Sequence, residues 1–359
     1  MIDIFKKKHS KFLYIFFLFL SLILFFFSTD KVKAKSFNIK NIEISKPFEI
    51  DFNKNEVIDE GFFKAFFKLI SLITVSSDHK INKNIKLNQI KGMIESFSIK
   101  EEKFIDEVYY VNLGVSFNKK KILNYLEKRN IFPSTPIKKS FLFIPIIIRE
   151  NKEDLSIFSN NIFYDEWNNY IESFHLIEYL LPTEDLEDLN LIKKQFDTIE
   201  EYDFKEITNK YYLNDSIVAL VFQNQKEIRV LSRITVNDKV ILKNQSFSDV
   251  NIKDKIQLET LINNLKNIYE DHWKKLNQIN TSIKLPIFIK ANSKDISMTS
   301  RFEQTLNETS LVYNHFILKF DKDFVYYQVT FNGTPDNFLK SMKNKNFTFD
   351  TQNKTWILK

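Results

Sequence analysis

The run Phe141–Ile148, Phe-Leu-Phe-Ile-Pro-Ile-Ile-Ile, constrains this chain more than any other stretch. Eight apolar residues lie between Lys138-Lys139-Ser140 and Arg149-Glu150. Such a run suits a strand covered on both faces, because one face alone would leave half of it in water. Pro145 interrupts it. Proline has no amide proton to give to a ladder, so a bulge or an irregular strand end is expected there. The run opens a middle α/β domain, with a smaller domain on either side of it.

The length of 359 residues allows roughly two to three domains. Hydrophobic residues make up 43%, enough for several cores, and 37 of the residues are Phe. The chain has no cysteine, which excludes disulfides, thiolate metal sites, a cysteine nucleophile and a lipidated N-terminal cysteine. The net charge of +6 suggests a nucleic-acid partner only until it is located. Residues 1–34 hold Lys6, Lys7, Lys8, Lys11, Lys31 and Lys33 against Asp3 and Asp30, which leaves +2 for the other 325 residues. That is too little for an electrostatic footprint, so no nucleic-acid partner is expected.

The N-terminus has the layout of an export segment. Lys6–Lys11 is a basic flank, Phe12–Phe27 is free of charge, and Val32-Lys33-Ala34 fits signal-peptidase cleavage after Ala34. The apolar run falls a little short of the ~20 residues of a spanning helix. Residues 1–34 are therefore expected to be a cleaved signal peptide or, failing cleavage, an inner-membrane anchor. Membrane contact is expected only through residues 12–27 and only if they are uncleaved, and the rest of the chain is expected in the periplasm or cell envelope.

An α+β domain is expected over residues 37–136. Phe37–Ile50 alternates as one or two short strands. Asn55–Val75 has helical spacing, and its Phe62, Phe63, Phe66 and Phe67 are assigned to core packing rather than to a partner stripe. Leu87–Phe97 is expected to be a second amphipathic helix. Ile99–Phe117 should form a hairpin, with Asn118 capping the helix that follows. Pro133 and Pro136 mark a linker.

The middle α/β domain is expected over residues 137–278. A helix is expected at Phe158–Phe174, a short strand at Leu176–Leu181, a helix at Thr183–Phe196 and a buried strand at Ser216–Phe222. Two exposed-edge strands, Glu227–Val236 and Lys239–Phe247, join through Asn237-Asp238. The long helix Ile252–Asn277 is keyed by Ile256, Leu261, Leu265, Ile268, Trp273 and Leu276. Alternation of strands and helices predicts a mainly parallel sheet. Residues 281–359 read β-α-β-β-α-β, a ferredoxin-like order, with Thr334-Pro335-Asp336 starting the second helix and a turn expected at Asp350–Asn353 within the final strand region Phe347–Leu358. The fold class is thus mixed α/β and α+β in three small domains.

Three features together carry a resemblance. They are Tyr109–Phe117 followed by Asn118–Arg129 and the Phe141 strand; Trp167 followed by Leu180-Leu181-Pro182 and Glu184–Asp188; and Lys210-Tyr211-Tyr212 leading into Ser216. Over residues 37–277 they resemble the proteobacterial envelope proteins of the domain of unknown function 2066 (DUF2066) family. That resemblance implies export and brings no catalytic residues with it. The middle alternation is also similar to small α/β domains of envelope assembly proteins, a likeness of fold alone.

No chemical motif stands out, so no catalytic, cofactor-binding or metal-binding residues are assigned and no cofactor is expected. His9, His79, His175, His272 and His315 are too far apart for a helical metal pair. Gly61, Gly92, Gly114 and Gly333 are isolated and build no phosphate loop. The run Glu184–Asp188 is assigned to a helix N-terminus rather than to a cation site. Glu200–Asp203 is assigned to a solvated boundary between helices. The function expected is an exported, non-catalytic cell-envelope module that binds another envelope protein. A hydrolase acting on cell-wall or lipid material and a periplasmic small-ligand carrier are the competing classes.

Overall fold

The computed structural model describes residues 36–82, 84–149, 154–224, 227–309 and 311–359. The expected export segment, His9 included, lies outside them. Three sheets and their helices form a mixed α/β and α+β architecture. Among the described residues, no helix is long and apolar enough to cross a membrane.

The first sheet has the order β1-β3-β2, from β1 (Ser36–Pro47), β2 (Ile94–Ile105) and β3 (Val108–Asn118). Helices α1 (Lys54–Ile73), α2 (Leu87–Met93) and α3 (Lys119–Glu127) accompany it. Phe62 and Phe66 of α1 are buried, and Phe63 and Phe67 pack at the margin of the same core, so the aromatic face serves packing. Of the one or two strands expected over Phe37–Ile50 there is one, because a bulge between Ile39 and Ile42, with Asn41 at positive φ, absorbs the irregularity. One boundary differs from expectation. The helix expected to reach Phe97 stops at Met93. Ile94 and Phe97 have helical spacing, but they pair with Phe117 and Val115 of β3. The hairpin ladder thus claims residues that local periodicity assigns to a helix. Asn118 caps α3 by accepting from the Lys121 amide at 3.1 Å.

The middle sheet is built on β4 (Lys139–Arg149). Its order is β5-β4-β7-β8-β9, with β6 also paired to β4; these are β5 (Asp154–Ser156), β6 (Ile177–Leu180), β7 (Ser216–Gln223), β8 (Glu227–Val236) and β9 (Lys239–Ser248). The expected parallel arrangement is present in β6-β4-β7, while the pairings β4–β5, β7–β8 and β8–β9 are antiparallel, so the sheet is mixed. Residues 141–148 are all buried, as the apolar run requires. Phe141, Phe143 and Ile147 face one core, completed by α4 (Ile162–Glu166) and α7 (Lys255–Leu276). Leu142, Ile144, Ile146 and Ile148 face the other, with α5 (Leu186–Lys194) and α6 (Lys205–Thr208).

Three further expectations for this region are corrected. β8 is not an edge strand: it lies between β7 and β9, which leaves β9 at the edge. Ile256 and Leu276 do not key α7, since they are 76% and 53% exposed. The helix expected over Phe158–Phe174 is only α4 and a 3-10 turn at Trp167–Asn169. The carbonyls of Trp167 and Tyr170, which a continuing helix would use, instead accept from Lys266.

The expected bulge at Pro145 is absent, because β4 and β7 stay in register from Leu142–Ser216 to Ile148–Phe222. The Leu142 amide donates toward β7 and the Lys139 amide toward the β6 side. Alternation along the strand therefore aims position 145 away from β7. On that side β6 pairs only with residues 139–142 and β5 only with 147–149. Pro145 thus sits opposite a gap in the ladder, where its missing proton forfeits nothing.

The tail sheet has the order β11-β12-β10-β14-β13, from β10 (Leu285–Asn292), β11 (Val312–Phe320), β12 (Phe324–Phe331), β13 (Phe349–Asp350) and β14 (Thr355–Leu358). Helices α8 (Ile296–Glu308) and α9 (Pro335–Lys343) join its core. Thr334 caps α9 with Pro335 at its start. The ferredoxin-like expectation holds through α9 and fails at the last strand. The chain reverses after Asp350, whose carboxylate accepts from the Gln352 amide at 3.2 Å. β14 then runs parallel to β10, and β13 occupies the edge.

The segments that join the three sheets meet beside the ends of α1 and α7. Ser134 donates to the Ile73 carbonyl at the end of α1, and Ile279 donates to the Pro133 carbonyl. Thr135 donates to the Asn277 carbonyl beyond α7.

Candidate functional site

Helix α7 holds the chain's main buried ionisable row. Lys266, Glu270 and Lys274 are four residues apart and share one face. They are 0%, 1% and 2% exposed. Buried charge is costly unless it is hydrogen-bonded, so each partner matters. The Lys266 ammonium donates to the carbonyls of Trp167 at 2.7 Å and Tyr170 at 2.6 Å, beside the rings of Trp167 and Tyr179. Glu270 accepts from the amides of Leu176 and Ile177 at the head of β6. Lys274 donates to the Ser71 carbonyl on α1 at 2.5 Å. Next to it, the half-buried Asp271 accepts from the Ser76 amide at 2.7 Å and from its hydroxyl.

Burial sets the electrostatics of this row. It lowers the Lys266 ammonium to about 8 against the pull of Glu270 and Glu172. It raises the Glu270 carboxyl, opposed by the amides of Ile177 and Leu176. Lysines shifted in this way serve as bases or nucleophiles where a substrate reaches them. Lys266 instead spends its protons on two carbonyls and is fully enclosed. The row is a set of internal ties: it fixes the Trp167 turn, the start of β6 and the end of α1 to a single helix. The sequence signal was available, since Lys266, Glu270 and Lys274 fall in line with Ile262, but a charged row at helical spacing ordinarily faces solvent.

The histidines gather only in part. His175 lies by this row; burial lowers it to about 4, and the charges of Lys266 and Lys274 add to the effect. Its Nδ1 accepts from the Glu172 amide at 3.1 Å, which requires a neutral ring. Burial also lowers His79, at the Lys274–Asp271 end of the row. His272 is on α7 and His315 on the tail sheet. Among the described residues no group of three or more His, Asp or Glu has metal-site geometry. In the acidic run, Asp185 caps α5, and Lys210 reaches Asp188 at 2.6 Å and Asp185 at 3.3 Å. Glu200 pairs with Arg229 at 2.6 Å. The first segment therefore ties α5 to the turn at Asn209–Tyr211, and the second ties the turn at Glu200 to β8.

The exposed counterpart of this satisfied interior is the tail sheet. The core residues Val325, Tyr327, Val329 and Phe331 alternate along β12, so Phe324, Tyr326, Gln328 and Thr330 occupy the opposite face. Register adds Phe288 and Lys290 from β10 and Phe316 and Lys319 from β11 to that face. Lys290 lies 4.5 Å from the Phe324 ring and Lys319 lies 4.3 Å from the Tyr326 ring. β11 is the sheet's other edge, opposite β13, and Phe316, Ile317, Leu318 and Phe320 are 45%, 38%, 49% and 68% exposed along it. Other edges are guarded by charge: β9 carries Lys239 and Lys243, and β2 carries Glu101, Glu102 and Lys103. The second half of β11 has Lys319 and a register shift between Ile317 and Lys319, and it still exposes four large apolar residues in a row of five. Nothing in the sequence pattern separated this strand from an interior one, because edge position is fixed by topology.

Scanned against protein-family models the chain matches none, and a search of curated proteins returns no similar sequence.

Proposed function

We propose that the chain is an exported cell-envelope protein that binds another envelope protein, and that an extended segment of that partner adds to the tail sheet along β11. The observation that supports this most is the exposed run Phe316–Phe320 on an edge strand, where the outward amides and carbonyls of that run face no neighbouring strand among the described residues. Strand addition satisfies those amides and carbonyls and buries alternate side chains of the incoming segment, which supplies affinity and register together. Exposed edges of this character otherwise promote aggregation, so a chain that keeps one gains from having it covered.

A non-catalytic role is favoured by the way α7 uses its buried row, with Lys266, Glu270 and Lys274 each held against backbone. Placement in the envelope is carried by the basic flank, apolar run and cleavage triplet of residues 1–34, and by the resemblance of residues 37–277 to the DUF2066 envelope proteins.

Phe316→Glu and Phe320→Glu test the proposal. Both positions are exposed, so the variants keep the thermal transition of the parent protein while a crosslinked envelope complex is lost. A complex unaffected by both substitutions places the contact elsewhere.

A further inference from the structure

The far end of the first sheet carries a second surface, independent of the β11 edge. Asp106 and Glu107 turn the β2–β3 hairpin with positive φ, and the Glu107 carbonyl accepts from the Phe48 amide at 2.7 Å. That bond folds the segment after β1 over the hairpin tip. The Phe48 ring meets Phe52 at 4.7 Å and Phe104 at 4.8 Å, and Phe52 meets Tyr109 at 5.0 Å. The resulting aromatic ridge faces water. Phe48, Phe104 and Ile105 are 51%, 58% and 50% exposed, and Ile50 is fully exposed beside them. Four large apolar residues together at one tip form a patch of the kind that marks an interaction site.

The rim of the ridge sets the partner's charge. The nearby lysines already have carboxylates: Lys46 and Lys64 meet Glu60, Lys54 meets Glu102 and Lys103 meets Glu101. Among the described residues, no ion pair involves Glu49, Asp51, Glu56, Asp106 or Glu107. Three of these, Glu49, Asp51 and Glu56, line a cleft of about 400 Å³ together with Phe52 and the Lys46–Glu60 ion pair, so the carboxylates there outnumber the one lysine. An aromatic ridge flanked by unneutralised carboxylates attracts a guanidinium or ammonium through ring faces and charge at once. Both features disfavour an anionic membrane surface or a nucleic acid.

We infer that this tip docks a lysine- or arginine-bearing apolar segment of a partner protein, with a cationic side chain in the cleft of Glu49, Asp51 and Glu56 and apolar residues on Phe48 and Phe104. The test titrates the full chain with a fluorescent peptide of alternating lysine and tryptophan. A glutamate-for-lysine peptide and zwitterionic phosphatidylcholine vesicles serve as alternative probes. The expected result is saturable binding of the lysine peptide that weakens with salt, and no binding of the glutamate peptide or the vesicles. Glu49→Lys with Glu56→Lys is expected to weaken binding at least tenfold. Ile50→Ser with Phe104→Ser is expected to weaken it severalfold, with the thermal transition retained. Ile50→Ser alone, at a fully exposed position, guards against a folding defect in the double variant. Binding that both double variants leave unchanged overturns the inference, as does equal binding of the two peptides. Uptake by the vesicles without peptide binding overturns it in favour of a lipid surface.

Discussion

The Asn161 amide nitrogen lies 2.9 Å from the carbonyl oxygen of Pro145, across the gap between β5 and β6. The same nitrogen donates to the carbonyls of Ser156 and Ile157, while Oδ1 accepts from the amides of Phe163 and Tyr164 at the start of α4. One fully buried side chain thus completes the central strand, ties down the turn after β5 and caps a helix. A proline is tolerated in the middle of the molecule because this residue serves the side of the strand that no ladder reaches.

Asn161→Asp separates these roles. The carboxylate keeps the cap but faces three carbonyl oxygens, so the variant is expected to lose about 3 kcal/mol of stability. Asn161→Ser, which keeps a cap and removes most of the donation, is expected to lose less. Chemical denaturation of both variants decides the matter, and a parental midpoint for Asn161→Asp shows that the cap is the only role.

His175 gives the protein an acid-sensitive step. Its folded value is about 4 and its ordinary value 6.5, so between these pH values the unfolded chain binds more protons. Stability therefore falls as pH drops from about 6.5 to about 4. His175→Gln, which keeps an acceptor for the Glu172 amide, is expected to flatten that part of the profile. An unchanged profile assigns the acid sensitivity to carboxylates instead.

Glu270→Ala strands the buried amides of Leu176 and Ile177 and takes from Lys266 and Lys274 the carboxylate they share, leaving Glu172 near the first and Asp271 near the second. A loss of about 3 kcal/mol is expected, on the scale of breaking a buried charged contact. Glu270→Gln keeps an acceptor and is expected to recover part of it. The comparison is made by thermal or denaturant melting. Near-parental stability of the alanine variant removes α7 from its role as the common tie.

The strand Phe141–Ile148 and the start of α9 were legible in the sequence, because a doubly buried strand and a Thr-Pro-Asp cap leave strong local signals. Leu87–Phe97 was not: its spacing is helical as far as Phe97, and only the pairing of Ile94 with Phe117 reveals the strand. The direction of β14 was hidden for a related reason. A turn near Asp350–Asn353 is readable, yet whether the second arm of the hairpin or the first lies against β10 is a tertiary choice. The buried row on α7 looks like a solvated stripe until Trp167, Leu176 and Ser71 are brought to it. The exposure of β11 likewise depends on which strands end a sheet, which no stretch of sequence records.

Residues 281–359 are expected to fold alone. Every residue of the tail's core cluster, from Ile287 to Leu358, comes from this segment. What separation removes is peripheral, such as the Tyr313 hydroxyl to Asn124 and Lys284 to Glu127. Dispersed amide resonances with slow exchange in β10 and β12 are the expected outcome. A collapsed spectrum shows that the joining segments complete the core.

The central claim, that β11 receives a partner's extended segment, is tested most directly by placing a photo-crosslinking residue at position 318. A matched probe goes at position 242 on the β9 edge, where Leu242 is also exposed. In intact envelopes, position 318 is expected to capture one partner through one short contiguous segment, with position 242 giving no such product. In the purified complex, the amides of Ile317–Phe320 on the outer edge should exchange more slowly than in the free protein. Equal capture from both positions, scattered crosslinked segments, or unchanged exchange along β11 would contradict the claim.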